Sequence, residues 1–417
     1  MAEEKEQENS KENGKETFET GRKKNLSNVV SSGETLSIAL NIFGIFIYRF
    51  VDGDLVPPNW KMKVFGMLVF IGYIILFFCT LSLPTAITGA TSTIVDAIDE
   101  IPGIVTLIQY VTSAITTSFL VNKAFVRILH AFAELDTILR VDTSQDFYKK
   151  AHSQTVKLLI GLTITHLING IADFATAKFF SISALVAFPL YFYQKLQVLM
   201  FCKMIAMVRS RLVLINDYLK VFIQDQDRKT VTIFTIRDTK VATEDKFNFI
   251  GRASDRNLKI RDLATMYDLI GKIGSMINDV FNFQIFMTLV STFIYIVITI
   301  WTALYYYKAP ENNSGRLVNI AIWCFSAIYT VAGMSYMCER LLLVRNETKI
   351  LVNKIIMNYD LPKIMRVQAK AFMELIEAWP LRIYIYDMFS VDITLMLKFI
   401  SVATTYLIVI IQISHFV

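Results

Sequence analysis

This sequence predicts an all-α membrane protein with seven transmembrane helices, and three observations predict it. Hydrophobic residues make up 54% of the 417 positions and mean hydropathy is +0.46, too apolar for one water-soluble core. The apolar residues gather in blocks close to the roughly 20 residues that cross a bilayer as a helix. Lys and Arg crowd alternate connections between those blocks and nearly vanish from the others.

Residues 1–34 are polar and rich in Glu, Lys and Asn. They read as a disordered tail on the cytosolic side with no cleavable signal peptide, so the first spans do the targeting. The block Leu36 to Val51 is short for a span and carries Arg49 close to Pro57 and Pro58; it reads as a re-entrant or interfacial helix. Six full spans follow: Val64 to Leu83, Ile104 to Leu120, Val156 to Thr176, Ile182 to Met200, Ile285 to Tyr305, and Leu317 to Met337. The seventh runs from Val391 to Ile413.

Charge orients these spans. The tail ends in Arg22, Lys23 and Lys24, and the second connection carries Lys123, Arg127, Arg140, Lys149 and Lys150. The fourth connection, from Lys203 to Arg261, holds more than a dozen Lys and Arg, and the sixth adds Arg340, Arg345, Lys349, Lys354, Lys363, Arg366, Lys370 and Arg382. By contrast, Pro84 to Pro102 has neither residue, the third connection has Lys178, and the fifth has Lys308 and Arg316. The positive-inside rule then predicts a cytosolic amino terminus and an extracellular carboxyl terminus.

The basic stretches are helical extensions rather than loose loops. Leu258, Leu263, Met266, Leu269, Ile270, Ile273 and Ile277 recur at helical spacing, as do Leu341, Leu342, Ile350, Leu351, Ile355 and Ile356. Such faces need burial in the cytosol, within one subunit or between subunits. The expected organisation is a tail (1–34), a transmembrane region (35–338) with a cytosolic insertion at 203–262, a cytosolic helical anchor (339–390) and a last helix (391–417).

Several function classes are excluded. A net charge of +6 is compatible with a nucleic-acid partner, but the basic residues lie in juxtamembrane connections without interleaved aromatics, which fits orientation and contact with anionic membrane lipid. There is no Gly-rich phosphate loop, His-Glu-x-x-His or Cys-x-x-Cys, and His130, His152, His166 and His415 are too dispersed for a metal. The chain therefore reads as a non-enzyme without cofactor. Cys79, Cys202, Cys324 and Cys338 sit in or at the ends of apolar runs and read as buried thiols. Asp173, Asp279, Asp392 and Lys398 lie in or beside spans, where charge is costly and marks either function or reach to the interface.

The last span carries the sharpest local pattern. After Ser401-Val402-Ala403-Thr404 comes Thr405-Tyr406, then five aliphatic residues, then Gln412. Met388-Phe389-Ser390-Val391-Asp392 precedes it. On these residues the chain resembles the insect gustatory receptors, whose final helix ends in Thr-Tyr, a short apolar run, Gln and usually Phe. Ile413 stands where that Phe is usual. The Leu36 to Phe50 block with Gly44 is similar to the family's re-entrant helix. The related odorant receptors share the topology, and an odorant-receptor-like channel is the nearest alternative.

The resemblance implies a ligand-gated cation channel of sensory neurons in the plasma membrane, a homo- or hetero-tetramer with the last helix lining the pore. Lys398, Val402, Thr405, Val409, Gln412 and Phe416 share one stripe on a helix of about 3.6 residues per turn, with Ile413 beside it. Val409 and Ile413 then form an apolar constriction, and Gln412 amides meet a partly hydrated cation. A helix merely packed against its neighbours would show the same stripe. With no carboxylate in it, the pore is expected to pass monovalent and divalent cations with little selectivity.

The resemblance places ligand binding in the outer half of the second to sixth spans. Residues at that depth are Gln109, Tyr110, Asn169, Asp173, Tyr191, Tyr193, Tyr295, Trp301, Asn319 and Trp323. Aromatics beside amides suit a small organic tastant, while some of them equally serve as interface anchors. Sugar-sensing members commonly carry Glu after Thr-Tyr, and Leu407 stands there, so a bitter or other plant compound is expected. Asn312-Asn313-Ser314 is the outward sequon, with Asn312 the expected glycan site. A G-protein-coupled receptor would need the opposite orientation, and the chain lacks Asp-Arg-Tyr and Asn-Pro-x-x-Tyr at the expected places. A secondary transporter is disfavoured by the lack of an internal repeat.

Overall fold

A computed structural model describes residues 19–51, 53–82, 93–139, 145–176, 182–235, 260–308 and 314–416. The chain divides into two compact units: Met1–Met204 with Met276–Glu339 and Ile383–Val417, and Ile205–Ser275 with Arg340–Arg382. In chain order the elements are α1 over 19–31, α2 (Glu34–Ile42), β1 (Arg49–Val51), β2 (Asp54–Val56), α3 (Trp60–Ser82) and α4 (Thr93–Ile115), which runs into a π-helical turn at Thr116–Leu120. Then come α5 (Asn122–Ile138), α6 (Gln145–Thr176), α7 (Ile182–Thr235), α8 (Ile260–Lys308), α9 (Ser314–Met357), α10 (Lys363–Ala378), β3 (Tyr384–Ile385), β4 (Phe389–Ser390) and α11 (Ile393–Phe416).

Each expected span lies on one of these helices apart from a residue or two at its ends, and most of the helices continue well beyond it. Among the described residues, α3, α4 with its π turn, α6, α8 and α9 are long and apolar enough to cross a membrane, and Ile393–Val409 forms a shorter apolar stretch. The chain is a multi-span, mostly helical membrane protein.

The amino-terminal expectation is corrected in part. Residues 19–31 are helical rather than a solvated tail; residues 1–18 lie outside the described residues. Leu26 and Val29 are buried, and the fully buried Asn25 donates to Thr137 Oγ1 at 3.1 Å. His152 Nδ1 meets the Ser31 carbonyl at 3.0 Å, and Lys203 donates to Ser32 O and, at 3.0 Å, to Thr155 Oγ1. These partners are more than a hundred residues away in sequence, so local polarity conceals the docking.

The Leu36 to Val51 block is likewise not one helix. α2 stops at Phe43, Gly44 turns the chain with φ +76, and Ile45 and Ile47 are buried in an extended stretch. β1 then pairs antiparallel with β2, Arg49 opposite Val56 and Phe50 opposite Leu55. Gly44 does more than turn. Its carbonyl oxygen lies so near α3 that a Cβ on Gly66 would sit 2.3 Å from it, a clash with backbone that no rotamer relieves.

Gly66→Ala should therefore cost about 1–3 kcal/mol by overpacking and lower the melting temperature of the purified receptor. Gly72, one and a half turns on, has nothing within 4 Å of its Cβ position, so Gly72→Ala serves as the control. Equal melting of the two variants would refute the close crossing.

In the second unit, α7, α8, α9 and α10 bury Leu212, Ile215, Ile270, Ile273, Val352, Ile355, Phe372 and Ile376, which explains the helical rhythm of those stretches; Ile350 stays exposed. The fully buried Asn216 donates to the Val344 carbonyl at 3.1 Å and accepts from Thr348 Oγ1 at 2.7 Å. Trp379 lies across Gly271, where a Cβ would meet its ring at 2.3 Å, and its indole N–H donates to Asp268 Oδ1 at 2.8 Å. Lys272, 2.8 Å away, holds the Asp268 carboxyl below its ordinary range. The Asn346-Glu347-Thr348 sequon illustrates why short patterns mislead, since its Thr348 is fully buried.

The first unit ends in a small hairpin that launches the last helix. β3 pairs with β4, and the main-chain N–H groups of Tyr384 and Tyr386 donate to Asn278 and Asn282, one turn apart on α8, at 2.8 and 2.9 Å. Asp392 then caps α11: its Oδ1 accepts from the backbone N–H of Thr394 at 2.9 Å, and its Oδ2 accepts from Ser390 Oγ at 2.7 Å. That is the work of an N-cap, so the structural reading of this carboxylate holds.

Candidate ligand site and final helix

Four helices of the first unit position a polar cluster among the spans. On α6, His166, Asn169 and Asp173 follow one another at helical spacing on one face. On α7, Phe188, Tyr191, Phe192 and Lys195 form a second face; Tyr295 comes from α8, and Asn319, Trp323 and Ser326 from α9. Trp323, 8% exposed, is the hub. Its indole N–H donates to Asp173 Oδ1 at 2.9 Å, and Asn319 Nδ2 donates to the same oxygen at 2.5 Å. Tyr191 and Tyr295 approach its ring at 5.5 and 6.4 Å between centroids, and the His166 ring stands edge-on at 6.1 Å.

Lys195 covers the Trp323 ring, its Nζ 5.4 Å from the centroid, and donates to Ser326 Oγ at 2.8 Å. A cavity of about 30 Å³ opens beside these groups, lined by Tyr191, Gln194, Lys195, Ser291, Tyr295, Trp323 and neighbouring hydroxyl residues. That space admits about two water-sized groups. A larger ligand enters only if these side chains move.

A polar ladder continues from the cavity between α7, α4 and α8. Gln194 Nε2 donates to Ser291 Oγ at 2.9 Å, Ser291 Oγ to Gln109 Oε1 at 2.6 Å, and Gln109 Nε2 to Thr288 Oγ1 at 3.0 Å. Farther along, Gln284 Nε2 donates to Thr117 Oγ1 at 2.7 Å, on the π-helical turn. These side chains satisfy one another in a place without bulk water, as buried polar groups must.

The structure brings Asp173, Asn319, Trp323 and Tyr295 together. It does not bring Tyr110 there: this fully buried residue donates to the Phe43 carbonyl at 2.9 Å. Gln109 joins through the ladder rather than the cavity wall. Asn169 is buried with its Nδ2 unpartnered among the described residues, as are His166 Nδ1 and Asn319 Oδ1. Sequence reasoning missed Lys195 and His166. The signal for Lys195 was present, a single cation amid the apolar run from Ile182 to Met200.

The final helix, like α3 and α6, packs little against the rest of the described chain, touching α8 where Phe399 and Tyr406 meet Phe293. No side chain from Met396 to Val409 is buried, and Thr405 and Gln412 are exposed. Leu397, Tyr406 and Ile408 are 59%, 47% and 51% exposed. The side chains of Ile413 and Phe416, and all of Asn312, lie outside the described residues. Lys398 and Asp279 are exposed, which suits reach toward the interface rather than a buried ion site.

Long helices, several of them apolar enough to cross a membrane, and an aromatic and polar cavity among them define a multi-span helical membrane protein. The chain belongs to the 7tm chemosensory receptor family, whose profile matches residues 35–415. Membership places it among receptors rather than enzymes. Its fold is similar to that of the insect olfactory receptor OR5 from Machilis hrabei, with a TM-score of 0.56 and 14% identity over 91% of this chain and 97% of that one. The OR5 structure in complex with eugenol matches with a TM-score of 0.54 and 11% identity over the same shares of the two chains. No curated protein matches the chain in sequence at a significant level.

Proposed function

We propose that this protein is a gustatory receptor that acts as a ligand-gated, poorly selective cation channel, opened by a small organic tastant in the plasma membrane of sensory neurons. The observation that carries the reading is the exposure of α11. The apolar faces of this 24-residue helix suit lipid or neighbouring helices, whereas its exposed stripe with Thr405, Val409 and Gln412 suits a water-filled axis between copies. Four subunits, alike or mixed with other receptors of the family, place four such helices around one pore. Val409 and Ile413 then make its apolar constriction and Gln412 its polar mouth.

Alternating charge supports a cytosolic amino terminus and an extracellular carboxyl terminus. In that orientation Trp323, Asp173, Asn319 and Tyr295 lie in the outer half, within reach of a tastant. Leu407 after Thr405-Tyr406 favours a bitter or other plant compound over a sugar. The complex of OR5 with eugenol supports a small aromatic molecule as the kind of ligand such a fold accepts. Asn312 would carry a glycan on the outer side.

Whole-cell recording from cells expressing the receptor, against sugars, alkaloids and other plant compounds, tests the channel and the ligand class together. Ligand-evoked current that reverses near zero in mixed cation solutions is the expected result. Strictly G-protein-dependent responses without such a current would refute the channel. An odorant-only response profile would move the receptor to the odorant branch.

A further inference from the structure

The cavity beside Trp323 has an excess of hydrogen-bond donors. The Lys195 ammonium has three protons and gives one to Ser326 Oγ, and among the described residues no carboxylate lies within ion-pair distance of it. Ser326, having accepted that bond, still has its own hydroxyl proton to give. The acid of this cluster, Asp173, already accepts from the Trp323 indole N–H and from Asn319. The Trp323 ring offers the cation its face, a weaker partner than an anion.

A cation within a span is costly unless something completes it. The adjoining space of about 30 Å³ matches the two oxygens of one carboxylate. Around it stand Tyr191, Tyr295 and Trp323, aromatic walls that suit an apolar body and offer no second charge.

We propose that this cavity is the head-group pocket for a small organic acid, with Lys195 pairing with the carboxylate and the Ser326 hydroxyl donating to its second oxygen. The proposal rests on the reading of these spans as the ligand site. It narrows that reading from organic tastants at large to carboxylic acids, and it excludes primary amines, which Lys195 repels. The apolar tail of the acid displaces the aromatic walls as it enters.

The test measures binding to the purified full-length receptor in nanodiscs by calorimetry. The probes are butyrate, hexanoate and benzoate, each beside its methyl ester, with benzylamine as the cationic control. At least one carboxylate should bind saturably and its ester and benzylamine much more weakly. Lys195→Gln should weaken the acid about thirtyfold or more, as loss of one partner of a desolvated charge pair does, and leave the ester unchanged. Lys195→Arg should retain most of the affinity. No saturable carboxylate binding, equal binding of acid and ester, or an unchanged acid affinity in Lys195→Gln would each overturn the proposal. Esters that open the channel without any acid preference would overturn it and leave the channel reading intact. Acids that bind without any evoked current would support the pocket and count against the channel.

Discussion

Gln412→Glu receptors should pass calcium relative to sodium about tenfold better than wild type, the low end of what a focused field of one sign does to local cation concentration. Gln412 is exposed on α11, one turn beyond the exposed Val409. In a tetramer the substitution creates a ring of four carboxylates at the mouth of a stripe that otherwise carries no acid. Gln412→Leu should act in the opposite sense, lowering unitary conductance by removing the only amide of that stripe. Neither side chain packs against the rest of the subunit, so folding and surface delivery should be unaffected. Reversal potentials in bi-ionic solutions provide the measurement. Unchanged selectivity and conductance in both variants would remove α11 from the pore.

The second large effect is expected at Asp173. Its Oδ1 holds both the Trp323 indole N–H and the Asn319 amide, so Asp173→Ala strands two donors in the membrane interior. Each stranded buried group costs on the order of 1–3 kcal/mol, and the indole would lose the contact that fixes its plane over Lys195 and between Tyr191 and Tyr295. Agonist concentration–response curves should shift by about thirtyfold, the equivalent of about 2 kcal/mol. Asp173→Asn, which retains the accepting oxygen, should shift them far less. Surface labelling of both variants separates lost sensitivity from lost delivery. If Asp173→Ala kept full sensitivity, Trp323 would not be held by this carboxylate for binding.

Much of the architecture was legible because hydropathy and charge are local properties. A block such as Val64 to Leu83 announces its span whatever it packs against, and the absence of Lys and Arg from Pro84 to Pro102 needs no partner to be read. Ile270, Ile273 and Ile355 were foreseeable for the same reason, since a helix period marks the face to be buried. The docking of 19–31 was not foreseeable: it depends on Thr137 and His152, whose distance in sequence hides them. The hairpin of Arg49–Val51 with Asp54–Val56 was hidden in an apolar block that reads equally as helix or strand.

The candidate site divides in the same way. Residue types pointed to Trp323, Tyr295, Asn319 and Asp173 as a group suited to an organic ligand, but not to which would touch. Tyr110 looked equivalent to Tyr295 in sequence, yet its hydroxyl is spent on the Phe43 carbonyl. Lys195 was passed over in the sequence, and only Ser326 and Trp323 beside it give it a place in the site.

By itself, then, the sequence determined the class: a multi-span helical membrane protein, its alternating charge, and a last helix with Thr405, Tyr406 and Gln412 in one apolar run. These follow from the cost of placing polar or charged groups in hydrocarbon, which each segment meets alone. Only the tertiary structure decided that Gly66 must lack a side chain, that Asp173 serves Trp323 and Asn319 at once, and that Lys195 faces a cavity. Those depend on which helix faces lie against each other, and a hydrogen bond between residues some 150 positions apart leaves no periodic trace in the chain.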